Sequence, residues 1–330
     1  MNPVPVGIVG LGISVPERVL TNQELEKMVD TSDEWIVSRT GIRERRICGP
    51  HLDTSDLAAE AARRALADAG LEPGQLDMII CCTITPDHFC PSTACTVQAK
   101  LGIKQPIPAF DMAAACSGFL YGMAVANSFI ISGACKHVLV IGAETMSKTL
   151  DFEDRNTCVL FGDGAGAVVL SQVEPGRGLL GQCLHADGSG GELLVVPNES
   201  SHAQYPEGKV DGRRHLQMAG HEVYKFATRI FSTAVNEALA NTADGLQASD
   251  LDLVIPHQAN IRIIEVGARK LNLPLDRFVT NIEKYGNTSS ASIPLAMADA
   301  REAGRLKKDT LFALVAFGGG LTYAASIWRW

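Results

Sequence analysis

Charged and aromatic side chains are both scarce in this sequence of 330 residues. Charged residues make up 20% of the chain and aromatic residues 6%, whereas hydrophobic residues make up 46%. The scarcity of charge excludes a disordered, self-repelling chain, and the apolar fraction predicts a soluble globular protein with a large buried core. The length fits either about two structural units or one compact body.

Basic residues are outnumbered by acidic ones. The 29 Lys and Arg residues face 37 Asp and Glu residues, which gives a formal net charge of −8. A nucleic-acid footprint would need a strong local basic patch against this overall field, and the two candidate clusters, residues 43–46 and Arg213-Arg214, are short. We therefore expect no nucleic-acid partner.

Long apolar runs are absent as well. No run reaches the ~18 apolar residues of a membrane-spanning helix. The stretch from Met1 to Leu11 lacks the basic region and the apolar region of a signal peptide. The sequence predicts a cytoplasmic protein without a membrane span.

Neither a disulfide framework nor a metal-ligand pattern is visible. The chain has nine cysteines, an odd number, and most of them lie inside apolar segments. Cys90 and Cys95 are close in sequence, but no CxxC or HxxxH pattern accompanies them. These features predict free thiols in a reducing compartment and no bound metal.

The glycine-rich segments are poor nucleotide-binding fingerprints. Gly10-Leu11-Gly12 lacks the third glycine and leads to Val15-Pro16 instead of a helix. Residues 162–166 lead to a strand. Neither segment supports a dinucleotide cofactor.

Apolar strand patterns alternate with helix patterns along the chain. The helices are expected at Thr54–Ala69, with Gly70 as its C-terminal stop, at Thr93–Leu101 and at Ser117–Ile131. Strands are expected between them, at residues 6–9, 78–83, 107–110, 138–141, 165–170 and 253–255. This alternation predicts an α/β sheet covered on both faces.

A weak internal repeat indicates two related units. Residues 65–80 and residues 238–255 both run from an Ala-Leu-Ala helix end through a glycine into an apolar strand. Phe-Gly-rich turns between apolar strands, at residues 161–164 and 317–320, close both units. We predict a duplicated α/β unit, divided into residues 1–172 and 173–330, with a site at the seam. The alternative is that helix–loop–strand units resemble each other by chance.

Cys116 lies where a predicted strand gives way to small residues and then to a long apolar helix. At a helix N-terminus, the macrodipole and the unpaired amides favour a thiolate, and the alanines before Cys116 leave room for a substrate carbonyl. A small buried cysteine without chemistry is the alternative.

Three further segments are candidates for the same site. His257 follows the strand at residues 253–255, where open α/β sheets bind ligands. Asn287 precedes a helix and could instead be its N-cap. Residues 317–321 form a glycine turn whose amides could donate to an oxyanion, or a simple hairpin turn.

These segments, taken together, resemble β-ketoacyl-acyl carrier protein synthase III of bacterial fatty-acid synthesis. The resemblance covers essentially the whole chain and includes six motifs in the family's order and spacing, at residues 31–36, 40–45, 113–118, 256–260, 286–289 and 317–320. Several separated motifs in order are far more specific than any single one.

The resemblance implies a fold and a reaction. It implies a thiolase-like α/β fold, a layered α-β-α-β-α body of two related halves, and a homodimer. Residues 1–172 would carry the nucleophile Cys116, and residues 173–330 would carry its partners His257 and Asn287. Cys116 would take an acyl group from acyl-CoA and pass it to decarboxylating malonyl-acyl carrier protein. The amides of Cys116 and Gly319 would form an oxyanion hole, with no metal and no cofactor.

The resemblance also implies binding residues. Coenzyme A would contact Trp35, Arg39 and Arg155, and acyl carrier protein would contact Arg262, Arg43 and Arg269. The position before Pro91 is a wall of the acyl pocket in some members, where a bulky aromatic restricts the primer to short chains. Here it is Cys90, preceded by Phe89. We therefore expect primers longer than acetyl to be accepted.

Other functions would require different residues in the sequence. A thiolase would need a second catalytic cysteine near the C-terminal glycine turn, but the last cysteine is Cys183, and elongating condensing enzymes have a histidine where this chain has Asn287. A specialised homologue of secondary metabolism has the same triad and stays open. A Cys-His-Asn hydrolase of the papain type lacks its local cysteine signature here, and a non-catalytic acyl-binding protein would have a degraded triad.

Overall fold

The computed structural model describes residues 4–197 and 215–330. In these residues the strands are β1 (Val6–Ser14), β2 (Val19–Thr21), β3 (Glu44–Arg46), β4 (Met78–Cys82), β5 (Ala109–Met112), β6 (His137–Thr145), β7 (Asp163–Gln172), β8 (Gly178–Ala186), β9 (Leu194–Val195), β10 (Gln217–Met218), β11 (Leu253–Pro256), β12 (Leu311–Gly318) and β13 (Thr322–Arg329).

The α-helices of the described residues alternate with these strands. They are α1 (Asn22–Leu25), α2 (Asp33–Thr40), α3 (Thr54–Ala69), α4 (Thr93–Lys100), α5 (Gly118–Ile131), α6 (Gly220–Ala240), α7 (Ile261–Leu271), α8 (Ile282–Tyr285) and α9 (Ser292–Glu302).

Two mixed sheets form the framework. The first has five strands in the order β1-β7-β6-β4-β5, and the second has four in the order β11-β12-β13-β8. Within them, β4 is parallel to β5 and β6, and β11 is parallel to β12. The pairs β2–β3 and β9–β10 are separate antiparallel ribbons.

Three apolar cores hold five layers together. The central core packs α5 and α9 between the two sheets, where residues such as Phe119 and Met297 meet strand residues of both. A second core packs α3 and α4 on the outer face of the five-stranded sheet. The third packs α6 and α7 on the outer face of the four-stranded sheet. The layers therefore run α-β-α-β-α, as predicted.

Helix α3 has the predicted bounds because both of its ends are capped. Asp53 forms a capping box with Asp56, and Gly70 ends the helix in the left-handed region at φ 66°. The helix packs very closely on β1: a Cβ at Gly10 would lie 2.2 Å from the Ala65 oxygen. The Gly10-Leu11-Gly12 motif is therefore a helix–sheet contact.

The repeat corresponds to similar local structure. In both halves a long helix, α3 or α6, leads through a glycine and a short 3₁₀ turn to a strand, β4 or β11, that pairs in parallel with a later strand. The five-stranded sheet uses residues 6–172 and the four-stranded sheet residues 178–329. A division at 172/173 stays a prediction.

Two expectations about local structure were wrong. Residues 317–320 join β12 directly to β13, but residues 161–164 are not a tight turn: they end a long connection from β6 and enter β7, the neighbour of β6 in the sheet. Strand β5 lies two residues later than expected, because its parallel register with β4 begins at the pair Ile79 and Ala109.

Candidate active site

Cys116 lies in a 3₁₀ turn, Ala115–Ser117, between strand β5 and helix α5. The residue is only 5% exposed. Burial, with a smaller contribution from the charge of Glu144, raises the pKa of its thiol to about 12, although the neighbouring Ser289 hydroxyl and the amide of Cys116 itself act in the opposite direction. The predicted position before a helix is confirmed, but burial outweighs the helix terminus, so the resting group is a thiol.

His257 follows β11, as predicted, and is 1% exposed. Its amide donates to the Val315 carbonyl on β12 at 2.8 Å, and its ring packs edge-on against Phe317, with centroids 5.4 Å apart. Removal from water lowers the pKa of the imidazole to about 3. His257 is therefore neutral near pH 7.

Ser292 determines which ring nitrogen of His257 carries the proton. Its Oγ lies 2.6 Å from Nδ1 and accepts a longer hydrogen bond, 3.4 Å, from the Gln258 amide. We assign the serine hydroxyl as the donor in the contact with Nδ1. Nε2 then carries the ring proton and is a donor toward the cavity that His257 lines.

Asn287 is held by its backbone and by its side-chain oxygen. Its amide donates to the Leu160 carbonyl at 2.8 Å, and its carbonyl accepts from the Gly162 amide at 3.0 Å. Its Oδ1 accepts from the Ser289 amide at 2.8 Å, which leaves the Nδ2 protons for other acceptors. Asn287 is not the residue that caps α9, because that helix begins after Ala291.

Two cavities meet at Cys116. A cavity of about 200 Å³ is lined by Cys116, His257 and Asn287 together. A larger cavity of about 820 Å³ also reaches Cys116 and is lined by Phe89, Cys90, Gly319 and apolar side chains. The candidate nucleophile thus lies where two largely apolar cavities meet, and the smaller one also contains the polar side chains of His257 and Asn287.

The glycine turn after β12 presses against the nucleophile. A Cβ at Gly318 would lie 2.7 Å from the Cys116 nitrogen, so this position leaves no room for a side chain. Gly319 and Cys116 line the same large cavity. The predicted oxyanion-hole residues are therefore neighbours at one site.

The residues predicted to bind coenzyme A lie together at α2. The Arg39 guanidinium carbon is 5.1 Å from the centre of the Trp35 ring, and that of Arg155 is 5.5 Å away. Arg155 also donates to the Asp30 carbonyl at 3.0 Å. A base stacked between Trp35 and Arg155 needs about 7 Å, two contacts of about 3.5 Å each, so the two side chains are closed on each other.

The basic residues predicted to contact acyl carrier protein are exposed: Arg43, Arg262 and Arg269. The Arg262 guanidinium is fixed by two hydrogen bonds to the Ser38 carbonyl at the end of α2, at 2.7 and 3.1 Å. Arg262 therefore links α7 to the Trp35 helix.

The short basic cluster at residues 43–46 is not a surface patch. Arg45 is fully buried and donates to the carbonyls of Leu20 and Val159. The other cluster, Arg213-Arg214, lies outside the described residues. Among the described helices, none is long and apolar enough to cross a membrane.

The cysteines and one group of possible metal ligands lie outside the two cavities of the candidate site, apart from Cys116 and Cys90. All nine cysteines are free. Within the described part of the chain, one group could hold a metal ion, formed by Cys183, His185 and Glu237. His185 Nε2 and Glu237 Oε1 already lie 2.6 Å apart, and the Cys183 thiol donates to the Ala234 carbonyl. This group lines neither cavity at Cys116.

Three polar residues near the triad were missed from the sequence: Glu144, Ser289 and Ser292. Glu144 and Ser289 are 0% exposed and lie 3.0 Å apart at Oε1 and Oγ. Glu144 could have been recognised from the sequence, because a carboxyl inside an apolar strand such as β6 is unusual. The two serines carry no comparable signal in a run rich in small polar residues.

Family models and whole-chain comparisons agree on one relationship. Residues 110–188 match the model "3-Oxoacyl-[acyl-carrier-protein (ACP)] synthase III", and residues 242–330 match the model of the C-terminal part of that enzyme. The chain is 52% identical to β-ketoacyl-[acyl-carrier-protein] synthase III of Caldanaerobacter subterraneus over 99% of this chain and 98% of the relative.

Solved structures give the same result. The fold is similar to 3-oxoacyl-[acyl-carrier-protein] synthase III from Aquifex aeolicus, with TM-score 0.91, 47% identity and coverage of 98% of this chain and 100% of the other. It is also similar to the priming β-ketosynthase from the R1128 polyketide pathway, with TM-score 0.91, 35% identity and coverage of 99% and 96%. The predicted thiolase-like fold is confirmed, and the chain belongs to the β-ketoacyl-acyl carrier protein synthase III family of acyltransferases.

Proposed function

We propose that this chain catalyses the condensation that initiates fatty-acid synthesis, joining an acyl-CoA primer to malonyl-acyl carrier protein with loss of CO₂. The observation that carries the proposal is that Cys116, His257 and Asn287 line one small cavity although they are far apart in sequence. A thiol, a neutral imidazole donor and an amide donor are the groups that this reaction needs.

In the first half-reaction, the Cys116 sulfur attacks the acyl carbonyl and the thiolate of coenzyme A leaves. The carbonyl oxygen becomes negative in the tetrahedral intermediate. The amides of Cys116 and Gly319, two residues that line the large cavity, would donate to that oxygen. The acyl chain then occupies the larger cavity.

In the second half-reaction, the malonyl group enters the smaller cavity. His257 Nε2 and Asn287 Nδ2 donate to its thioester oxygen, and so stabilise the enolate that forms as CO₂ departs. The enolate carbon attacks the acyl-Cys116 thioester and releases the sulfur. Because His257 is neutral, it serves as a hydrogen-bond donor throughout and transfers no proton in this step.

Substrate delivery is assigned to the surface around α2 and α7. We place the adenine of coenzyme A on the Trp35 ring, beside Arg39, after Arg155 has moved off the ring. The exposed Arg43, Arg262 and Arg269 form a local basic surface on a chain of net charge −8. Such a surface attracts an acidic carrier protein by charge complementarity.

The acyl pocket is assigned to the cavity of about 820 Å³, with Phe89 and Cys90 in its wall. This volume is at the upper end of the range for ligand pockets. It supports primers longer than acetyl. The reaction needs no cofactor, because acyl-CoA is a substrate.

We also propose a homodimer and a division into two related halves at 172/173. Strand β5 is an edge of the five-stranded sheet, and its residues are only half-buried in the single chain. Phe89, in the connection between β4 and α4, is 83% exposed. An unpaired edge and an exposed aromatic ring are features that a second copy would cover.

A second candidate function stays within the same chemistry. The similarity to a priming β-ketosynthase of a polyketide pathway favours a specialised condensing enzyme of secondary metabolism as the alternative. The two functions differ in primer and in carrier protein.

The test is a product assay on the carrier protein. Acyl-CoA and malonyl-acyl carrier protein are incubated with the enzyme, and the carrier protein is weighed by mass spectrometry. We expect a mass that corresponds to gain of the acyl group and loss of CO₂, and no such product with His257→Ala. Condensation with a polyketide carrier protein alone would favour the second candidate, and no product with any carrier would contradict both.

A further inference from the structure

Glu144 is a carboxyl group buried completely beside the candidate nucleophile. It is 0% exposed, in the strand β6. Its Oε2 accepts from the hydroxyls of Thr83 and Thr85, at 3.2 and 2.6 Å, and from the amide of Ile84 at 3.1 Å. Burial of a carboxylate in the core is costly, because the ionised group must be removed from water, and such a residue in a core is therefore a candidate for a functional role.

The other oxygen of Glu144 faces the loop that carries Asn287. Oε1 lies 3.0 Å from the Ser289 hydroxyl and 3.0 Å from the Ser290 hydroxyl. Ser289 and Cys116 both line the large cavity, and the Ser289 hydroxyl is near enough to the Cys116 thiol to lower the pKa of that thiol. A continuous chain therefore runs from the Cys116 sulfur through Ser289 to Glu144.

Ser289 has a strained backbone conformation. Its φ is 49°, in the left-handed region that a serine rarely adopts. The same residue donates its amide to Asn287 Oδ1. The conformation thus turns its amide toward one member of the triad and its hydroxyl toward another.

His257 does not fill the role of a base for the thiol. In the tautomer assigned above, its Nδ1 accepts a hydrogen bond from Ser292, and its Nε2 already carries a proton. Burial also makes the imidazole a very weak base, with a pKa of about 3. The proton that Cys116 loses on acylation must go to another group.

We propose that Glu144 takes this proton through Ser289 when Cys116 is acylated, holds it while the acyl group is on the sulfur, and returns it when the thioester is cleaved. This inference rests on the proposed function, because it assigns the proton that accompanies each half-reaction. Glu144 is a positioning residue in this scheme, since it acts on the sulfur through Ser289.

The steps balance. On acylation, the S–H proton passes to Ser289 Oγ while the Ser289 proton passes to Glu144, the C–S bond to Cys116 forms, and coenzyme A leaves as a thiolate that takes a proton from water. On condensation, the new C–C bond forms, the C–S bond to Cys116 breaks, and the Cys116 thiolate recovers the stored proton by the reverse path. Glu144 ends the cycle ionised.

The surroundings of Glu144 suit both of its protonation states. When it is ionised, Ser289 donates to Oε1. When it is protonated, the proton on Oε1 has an acceptor in Ser290 Oγ, because the Ser290 proton is engaged with the Cys82 carbonyl at 2.8 Å. Ser289 is then free to donate toward the sulfur. Burial raises the pKa of Glu144, which makes it a better proton acceptor than an exposed carboxylate.

The test measures the pH dependence of Cys116 reactivity with iodoacetamide, located by peptide mass spectrometry. Alkylation requires loss of the same thiol proton but no substrate. In the wild type we expect a rate that is independent of pH across the neutral range. In Glu144→Gln and in Ser289→Ala we expect about a 100-fold loss at pH 7 and a rate that rises about tenfold per pH unit.

The control is Asp163→Asn, which removes a second fully buried carboxyl that instead binds Ser147 and the Cys48 amide. Its profile should keep the wild-type shape. A merely structural Glu144 would lower the rate by one factor at every pH and leave the shape unchanged, which would overturn the proposal. If Glu144→Gln does not fold, the Ser289→Ala profile alone decides between these results.

The same measurements, together with an acylation assay, distinguish failure of the proposed function from failure of the proton path. A wild type with a flat alkylation profile that no acyl-CoA acylates would contradict the condensing reaction and leave the proton path standing. A wild-type profile that rises with pH as the variants do would overturn the proton path alone.

Discussion

The hydroxyl of Ser292 lies 2.6 Å from Nδ1 of His257, and this contact joins the first residue of α9 to the end of β11. With Ser292 assigned as the donor, Nε2 is the protonated nitrogen of a neutral ring. His257 is thereby prepared as a hydrogen-bond donor before any substrate arrives.

Removal of the Ser292 hydroxyl should impair condensation selectively. Ser292→Ala allows His257 to place its proton on Nδ1, which turns a lone pair toward the malonyl oxygen. We expect malonyl decarboxylation to slow about tenfold, the equivalent of one hydrogen bond of about 1.4 kcal/mol. Acylation of Cys116 should be nearly unchanged. Equal losses in both half-reactions, measured by rapid-quench kinetics, would contradict this role.

Asn287 should matter for the same half-reaction. Asn287→Asp keeps the shape of the side chain but replaces the donor Nδ2 with an oxygen. We expect condensation to fall about 100- to 1,000-fold, the usual cost of one oxyanion donor. The matched control is Asn241→Asp, because Asn241 is exposed and its side-chain amide donates to the Gln182 carbonyl. This variant should retain full activity. Full activity of Asn287→Asp would exclude the donor role.

The buried neutral His257 should couple stability to pH. Its folded pKa of about 3 lies below the unfolded value of 6.5. Below pH 6.5 the unfolded state therefore binds a proton that the folded state does not, and stability is lost as the pH falls toward about 3, by up to about 1.4 kcal/mol per unit. Above pH 6.5 this contribution is fully present.

Urea unfolding at a series of pH values measures this effect. The raised pKa values of Glu144 and Asp163 act in the opposite direction, so the informative quantity is the difference between wild type and His257→Asn. We expect a shallower loss of stability on the acid side in the variant. Parallel curves would show that His257 does not titrate on unfolding as described.

Gly318 should not tolerate a side chain. In Gly318→Ala the Cβ would lie 2.7 Å from the Cys116 nitrogen and 3.0 Å from the Cys116 Cβ. We expect a loss of about 1–3 kcal/mol in the free energy of unfolding and a strong loss of acylation. Gly49→Ala, where a Cβ meets nothing within 4 Å, is the control. Normal acylation in Gly318→Ala would mean that the glycine turn does not position the nucleophile.

The width of the acyl pocket at Cys90 should set the primer length. Cys90→Phe adds bulk to the wall of the large cavity, and we expect it to shift acylation toward acetyl-CoA in a chain-length series. Cys90→Ser is the control of similar size. If the wild type itself accepts only acetyl-CoA, the assignment of Cys90 is wrong.

Local signals were enough to predict much of the fold. Helix α3 was predicted to the residue because Asp53 and Gly70 cap it, and the alternation of strands and helices predicted covered sheets. Strand β5 lies two residues later than predicted, because its bounds depend on its pairing with β4, and a local sequence pattern does not contain that pairing. The prediction of a tight turn at residues 161–164 was wrong for the same reason.

The triad was predictable because each member lies in a motif at the end of an element. The groups that tune it were not. Ser289 and Glu144 are separated by 145 positions, and their contact exists only after the two sheets have packed. The pKa of Cys116 was also missed, because burial is a property of the whole fold and here outweighs the local helix terminus.

The central claim is that Cys116 carries the acyl group. Intact-protein mass spectrometry after incubation with a series of acyl-CoAs tests it directly, with Cys116→Ala beside Cys135→Ala, another buried cysteine that lines neither cavity. We predict a mass gain equal to one acyl group in the wild type and in Cys135→Ala, and none in Cys116→Ala. Equal labelling of Cys116→Ala and the wild type would contradict the account.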